Sequence, residues 1–137
     1  MERDEFIERV KSRAALSSGN DAVNATRATL ETLAERLGGN DPYNAAIQLP
    51  KGIAEYLHHD WETWSGQDDR VSVDEFFDRV SEREGVDRSE AVRHARAVIQ
   101  VLEEAISPGE MNDIRAQLPE EYDALFEADI QNVGQGA

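Results

Sequence analysis

The sequence of 137 residues contains no cysteine and only two lysines, Lys11 and Lys51. The absence of cysteine excludes disulfide bonds, thiolate metal ligands and a cysteine nucleophile. No stretch approaches the roughly 18 consecutive apolar residues of a membrane span. The first residues, Met1-Glu2-Arg3, do not open the apolar core of a signal peptide. We therefore expect no membrane partner and a cytoplasmic location.

Positive charge is scarce, with 14 Lys and Arg against 29 Asp and Glu and a formal net charge of -15. Nucleic-acid binding requires a basic face that neutralises phosphates, so this balance argues against a nucleic-acid partner. The carboxylates are spread along the chain, and almost all basic residues are Arg. This pattern resembles proteins of halophilic archaea that keep concentrated salt in the cytoplasm, where self-repulsion is screened. Ordinary acidity and an acidic interaction surface are the alternatives.

The sequence contains an internal repeat of two copies. The phrase Asp-Glu-Phe-x-x-Arg-Val at residues 4–10 returns at residues 74–80, a shift of 70 residues. Later phrases return at a shift of 69, as Gln48-Leu49-Pro50 does in Gln117-Leu118-Pro119. A copy of about 55 residues buries too little surface to be stable alone, so the copies are expected to share one core.

Apolar residues recur at intervals of three and four throughout both copies, which predicts α-helices. Each copy is predicted to contain four helices, with the longest, central ones at Asp21 to Leu37 and Arg88 to Ile106. Ser or Asp followed three residues later by Glu marks several predicted helix starts. The second central helix has additional apolar positions and is expected to be the more buried of the two.

These patterns predict an all-α protein, a helical bundle of two four-helix repeats related by a pseudo-twofold axis. The predicted domain spans residues 1–137 and is undivided. Repeat one covers residues 4–57, a connector covers 58–71, repeat two covers 72–127, and a frayed tail covers 128–137. The connector is assigned to a loop because it is polar and has no apolar period.

The combination of three motifs resembles a known family. The motifs are the opening phrase, an Arg-Ala pair in each central helix, and Gln-Leu-Pro before a short helix that ends in an aromatic residue. This is the prokaryotic family catalogued as domain of unknown function 2267. The resemblance runs from about Asp4 to Phe126 and is especially close at residues 116–122. It implies an all-helical tandem-repeat fold, with no known activity, cofactor or catalytic residue to carry over. The first copy departs at Lys51-Gly52, which puts the start of its fourth helix in doubt.

A metal site is the main enzymatic alternative. Glu55 and His58 match the Glu-x-x-His spacing of di-iron bundles, but the second copy lacks an equivalent pair. A single divalent ion could be held by Glu55, His58, His59 and Glu62. Adjacent histidines point about 100° apart on a helix, so surface histidines at a helix end are the favoured interpretation. We expect no cofactor.

Repeated arginines form one-turn pairs, Arg9 with Arg13 and Arg79 with Arg83. Neighbouring acidic residues favour exposed pairing within each helix, and a repeated site for an anionic ligand is the alternative. His94 lies on the second central helix and could face the core as a satisfied polar residue.

Four further residues are candidates for binding a partner. Trp61 and Trp64 have no counterpart in the second copy, and they either anchor a partner or seal the seam between the copies, with the seal favoured. Arg27 and Arg96 recur inside mostly apolar helices, where a structural role is the alternative. The favoured function is a non-enzymatic interaction or regulatory module that uses the groove between the copies. Its partner would be an unknown protein or small ligand.

Overall fold

The computed structural model describes residues 1–37, 41–57 and 71–126, which form helices and turns without strands. The predicted all-α class is therefore confirmed. None of the described helices combines the length and the hydropathy that a transmembrane segment needs. Residues 1–57 are called the first half and residues 71–126 the second half. Within these ranges the helices are α1 (Arg3–Arg13), α2 (Gly19–Arg36), α3 (Asp41–Ala46), α4 (Ala54–Leu57), α5 (Val73–Glu84), α6 (Arg88–Ala105), α7 (Pro108–Ala116), a 3₁₀ helix (Glu120–Tyr122) and α8 (Asp123–Phe126).

Side-chain caps fix where four of the helices begin. In α2, α5, α6 and α7, a Ser or Asp side chain accepts a hydrogen bond from the backbone N–H three residues further on, at 2.9 to 3.1 Å. Such a cap contributes about 1 kcal/mol. Helix α2 begins two residues before the predicted Asp21, because Ser18 is its cap. The other three capping residues were predicted from the sequence: Ser72 for α5, Asp87 for α6 and Ser107 for α7.

One hydrophobic cluster contains residues from both halves. Helix α2 packs against α1 and α4 of its own half and against α5 and α6 of the second half. Helix α1 also packs against α6, and α3 packs against α7. Phe6, Leu30, Phe76 and Leu102 are fully buried, and burial of each such side chain contributes roughly 1.5–3 kcal/mol. The seam between the halves is thus part of the hydrophobic core.

Helix α6 is not more buried than α2, contrary to the expectation from the sequence. Nine residues of α2 and eight of α6 are buried. The extra residue is Arg36, whose counterpart in α6 is the half-buried Ala105. The other buried positions correspond, and where α6 has Val98 and Val101, α2 has the fully buried Thr29 and Thr32. Their hydroxyl groups placed them outside the apolar pattern, so the pattern underestimated the buried face of α2.

The halves differ after Gln-Leu-Pro. In the second half the chain continues into the 3₁₀ helix and then α8. In the first half α4 begins only at Ala54, after a turn in which Gly52 has a φ of +95°. A Cβ atom at Gly52 would lie 2.7 Å from the Cδ atom of Arg3. Glycine, at which the first half differs from the second, is therefore favoured by the positive φ, whereas the flexible Arg3 side chain could move away from a Cβ atom.

Tyr122 joins the end of the second half to its beginning. Its side chain is fully buried, and its hydroxyl donates a hydrogen bond to the Val71 carbonyl oxygen at 2.7 Å. The ring makes an edge-to-face contact with Phe76, with centroids 5.8 Å apart, and the Arg36 guanidinium lies 5.5 Å from its centroid. Burial raises the pKa of Tyr122 to about 12. The corresponding residue of the first half, Ile53, is also buried but has no polar atom to bond.

Candidate functional site

The repeated arginines hold carboxylates of the opposite half. On α5, Arg79 and Arg83 converge on Glu35 of α2, with N–O distances of 3.1 and 2.5 Å. Arg83 also donates to the Thr32 hydroxyl at 2.8 Å. The Glu35 side chain is only 21% exposed, so water screens this cluster incompletely. We call these three charged side chains the α2–α5 clamp.

A second clamp has the same composition on the other side of the seam. On α1, Arg9 and Arg13 both contact Glu104 of α6, with 2.6 Å between Arg9 Nη1 and Glu104 Oε1. Burial alone would raise the pKa of Glu104, but the hydrogen bonds from Arg13 and Arg9 outweigh it and lower that pKa. The Glu104 side chain is 33% exposed, more than Glu35. We call this set the α1–α6 clamp.

The clamps correct the interpretation of these arginines as intrahelical partners. Intrahelical pairs are present, from Arg9 to Glu5 and from Arg79 to Glu75. Each arginine pair nevertheless also reaches across the seam. The signal that could have revealed this is in the repeat itself, because Glu35 recurs as Glu104 at the shift of 69 residues.

A buried polar network occupies the junction of α1, α5 and α6. His94 faces the core as the sequence indicated, and its Nδ1 atom contacts Glu84 Oε2 of α5. Both side chains are only 3% exposed. The Nε2 atom of His94 lies 3.5 Å from Arg93 Nη2, and Arg93 Nη1 donates to the Ala14 carbonyl oxygen at the end of α1. Burial of the Glu84 side chain could not be predicted from the local pattern, because the residue ends an otherwise polar helical turn.

Asp87 adds a negative charge at the start of the helix that carries His94. Its pKa is lowered by the hydrogen bond from the Glu90 amide and further by the Ser89 hydroxyl, with a smaller contribution from His94. The network thus contains two carboxylates and one guanidinium around a single imidazole. An arrangement of this kind can respond to the protonation of that imidazole.

Arg27 and Arg96 occupy different environments despite their matching sequence positions. Arg96 is half-buried, and its Nε atom donates to the Ala124 carbonyl oxygen of α8 at 2.7 Å. Arg27 is exposed on α2, with 59% of its side chain accessible, and its Nε atom lies 3.4 Å from Glu31 one turn further on. Arg96 therefore holds α8 against α6, whereas the Arg27 guanidinium faces solvent.

The proposed metal ligands fall mostly outside the described residues. Glu55 is exposed on α4. His58, His59 and Glu62 lie in the undescribed segment 58–70, as do Trp61 and Trp64. Across residues 1–37, 41–57 and 71–126, no group of three or more His, Asp or Glu side chains could hold a metal ion.

A family model described as an uncharacterized conserved protein, DUF2267, matches residues 3–125. The chain belongs to the DUF2267 family. No curated protein matches it. The DUF2267 match extends from α1 into α8, so it covers both halves and every contact of the two clamps.

The Gln-Leu-Pro phrase of this DUF2267 chain also joins the halves. Gln48 Oε1 accepts a hydrogen bond from the backbone N–H of Ser107 at 2.6 Å. Ser107 is the N-cap of α7, so a side chain of the first half satisfies the backbone where a helix of the second half begins. The sequence had indicated only a helix boundary at this phrase.

Proposed function

We propose that this DUF2267 protein is a non-enzymatic interaction or regulatory module, built as a tandem of two related four-helix halves about a pseudo-twofold axis. The packing supports the tandem arrangement: α1 packs on α6 as α5 packs on α2, and α3 packs on α7. The two clamps, centred on Glu35 and Glu104, extend this correspondence to charged side chains.

The contrast between Arg27 and Arg96 carries the functional part of the proposal. A feature that both halves use in the same way is explained by folding, as the clamps are. Arg96 also has a structural role, because it bonds to the backbone of α8. Arg27 keeps a solvent-facing guanidinium on the same helical position, and arginine is among the residues that contribute most to binding at protein interfaces. We therefore assign the interaction surface to α2 around Arg27, with the unrepeated Trp61 and Trp64, which lie outside the described residues, as further candidates for partner binding.

Affinity capture tests this assignment. The full chain would be immobilised and exposed to a lysate of the source organism at its native salt concentration. Arg27→Ala and the double variant Trp61→Ala, Trp64→Ala should each reduce the retained partner about tenfold, as expected for an interface hot spot. Arg88→Ala is the matched control, because Arg88 is an exposed, ion-paired arginine of the second half. Equal retention by the wild type, Arg27→Ala and the double Trp variant, with all proteins folded by circular dichroism, would refute the assignment.

The acidic composition supports a second part of the proposal, a cytoplasm of concentrated salt in a halophilic archaeon. A net charge of -15 destabilises a compact chain through self-repulsion, which salt screens. The melting temperature should therefore rise between roughly 0.1 and 2 M KCl. A melting temperature that is constant over this range would argue for ordinary acidity.

A further inference from the structure

The C-terminal end of α1 is strained and is reinforced by a contact from the second half. Ala15, two residues after the helix, has a φ of +54°, a left-handed conformation that residues with a Cβ atom rarely adopt. Local backbone bonds close this turn, among them the bond from the Leu16 N–H to the Lys11 carbonyl oxygen. Arg93 of α6, 79 positions away, adds a hydrogen bond to the Ala14 carbonyl oxygen and so helps to hold the unfavourable conformation.

The position of Arg93 is in turn tied to the charge of His94. An arginine side chain only donates hydrogen bonds, so a hydrogen bond across the 3.5 Å between Arg93 Nη2 and His94 Nε2 requires Nε2 to be the acceptor. The imidazole that meets this requirement is neutral, carries its proton on Nδ1 and donates it to Glu84 Oε2. This form is the one that can bridge the guanidinium and the carboxylate by hydrogen bonds on both sides.

This network belongs to the second half alone. The residues that correspond to Glu84 and His94 in the first half are Ala14 and Ala25, both fully buried. The network is also incompletely satisfied, because within the described part of the chain Glu84 Oε1 is buried without a hydrogen-bond partner. A buried polar network with an unpaired atom is poorly explained by stability, since two apolar residues fill the same place in the first half.

We infer that His94 is the proton-sensitive element of a latch, which holds the C-terminal turn of α1 closed while the imidazole is neutral and releases it when the imidazole is protonated. Protonation places a hydrogen on Nε2 and removes the acceptor that faces Arg93. The imidazolium keeps its contact with Glu84, but it now repels the adjacent guanidinium. Arg93 then moves from Ala14, and the strained turn at Ala15 opens.

The charged groups around His94 agree with this direction of response. Glu84 of α5 and, at longer range, Asp87 at the start of α6 stabilise the imidazolium, while Arg93 on α6 opposes it. Helix α1 contributes the Ala14 carbonyl oxygen, whose bond to Arg93 is the contact that is lost. The latch does not depend on the proposed binding function, because it is detected in the isolated protein.

Amide hydrogen exchange, resolved by residue, tests the latch in the full chain. The amides of Ala14, Ala15 and Leu16 are hydrogen-bonded within the last turns of α1 and report its opening. After correction for the intrinsic pH dependence of exchange, the open population of this turn should rise about tenfold between roughly pH 7.5 and pH 5.5, the range in which histidine side chains change charge. The Leu37 amide, which closes α2 by bonding to Leu33, should not respond.

Two variants assign the response to His94. His94→Gln has a side chain that can donate and accept but does not titrate, so the pH response of the α1 end should disappear. A variant with both His58→Gln and His59→Gln should retain it, because those are the other two histidines of the chain. A wild-type response below twofold, or a full response in His94→Gln, would overturn the latch.

Nitrogen NMR of the wild-type imidazole provides a test that needs no variant. The latch requires the tautomer with the proton on Nδ1 at about pH 7.5. Observation of the Nε2-protonated tautomer at this pH would overturn the proposal even if His94→Gln failed to fold.

Discussion

Helices α1 and α5 begin with the same sequence phrase, but the turns that follow them contain different residues. In both halves the backbone turns through a positive φ at the corresponding position, +54° at Ala15 and +78° at Gly85. Glycine adopts this conformation without a Cβ clash, so the α5 turn is satisfied locally and is further closed by Ser81 bonding to the Val86 carbonyl oxygen. The α1 turn is also closed by local backbone bonds, but it lacks the glycine and receives an additional hydrogen bond from Arg93 of the second half. The same turn is therefore unstrained in one half and strained in the other, where a contact from the opposite half reinforces it.

The buried polar groups differ between the halves in a similar way. In the first half they are Arg36 and the threonines of α2, whose positions Thr26 and Thr29 correspond to Ala95 and Val98 in α6. In the second half they are His94 and Glu110, together with the Glu84 side chain. The two halves thus have corresponding helices but different buried polar side chains. They differ from each other mainly in the core.

Removal of the clamp carboxylates should cause the largest loss of stability among the substitutions, and the loss should differ between the two clamps. Glu35→Ala removes the carboxylate that Arg79 and Arg83 share in a half-buried site, leaving them Glu75 and the Thr32 hydroxyl, and should lower the free energy of unfolding by about 2 kcal/mol. Glu104→Ala leaves two more exposed arginines and should cost about 1 kcal/mol. Urea unfolding at low salt measures both. A larger loss for Glu104→Ala would show that exposure does not rank the clamps.

Tyr122→Phe should cause the next largest loss of stability. It removes the hydroxyl that bonds to Val71 and leaves a buried carbonyl, a loss of about 1.5 kcal/mol. Because burial raises the pKa of Tyr122 from 10.0 to about 12, the neutral phenol stabilises the fold below pH 10, and this contribution is lost as the pH rises towards 12. Tyr122→Phe should therefore lose less stability than the wild type over this range. Tyr56→Phe in the first half is the matched control, and an equal alkaline loss in the wild type and Tyr122→Phe would contradict the assignment.

Exchange of the two turn residues should have opposite effects in the two halves. Gly85→Ala forces a Cβ atom into the left-handed region and should cost about 1 kcal/mol. Ala15→Gly relieves the strain at the end of α1 but increases the entropy of the unfolded chain, so a gain of about 0.5 kcal/mol is expected. Thermal unfolding of both variants checks the signs. A loss of stability in Ala15→Gly would mean that the α1 turn is not strained.

Thr29→Val should produce the smallest change, a gain of about 0.5 kcal/mol. The Thr29 hydroxyl is buried without a hydrogen-bond partner among the described residues, and valine has nearly the same shape without the cost of that group. The substitution gives α2 the residue that α6 carries as Val98. Chemical denaturation of the two proteins side by side would reveal the gain, and a clear loss would indicate that the hydroxyl has a role in α2.

The features that could be predicted from the sequence are those that depend on residues close together in the chain. Helix starts could be predicted because a capping side chain and the amide it accepts from lie three residues apart, as at Ser72, Asp87 and Ser107. Helix lengths and the apolar core followed from the same local period. The site did not, because Glu35 and Arg83 meet only after α2 and α5 have packed, at a separation of 48 residues. Glu84 was missed for the same reason, since its partner His94 is on the next helix.

The clamps have a consequence for how the two halves recognise each other. Each half carries both an arginine pair on its first helix and the glutamate on its second helix that the other half requires. Two identical surfaces of this kind satisfy each other when they are related by a twofold rotation, as in an isologous dimer. In the proposed pseudo-twofold arrangement, the charge complementarity within this one chain is that of a homodimer interface whose two subunits have been joined by a peptide.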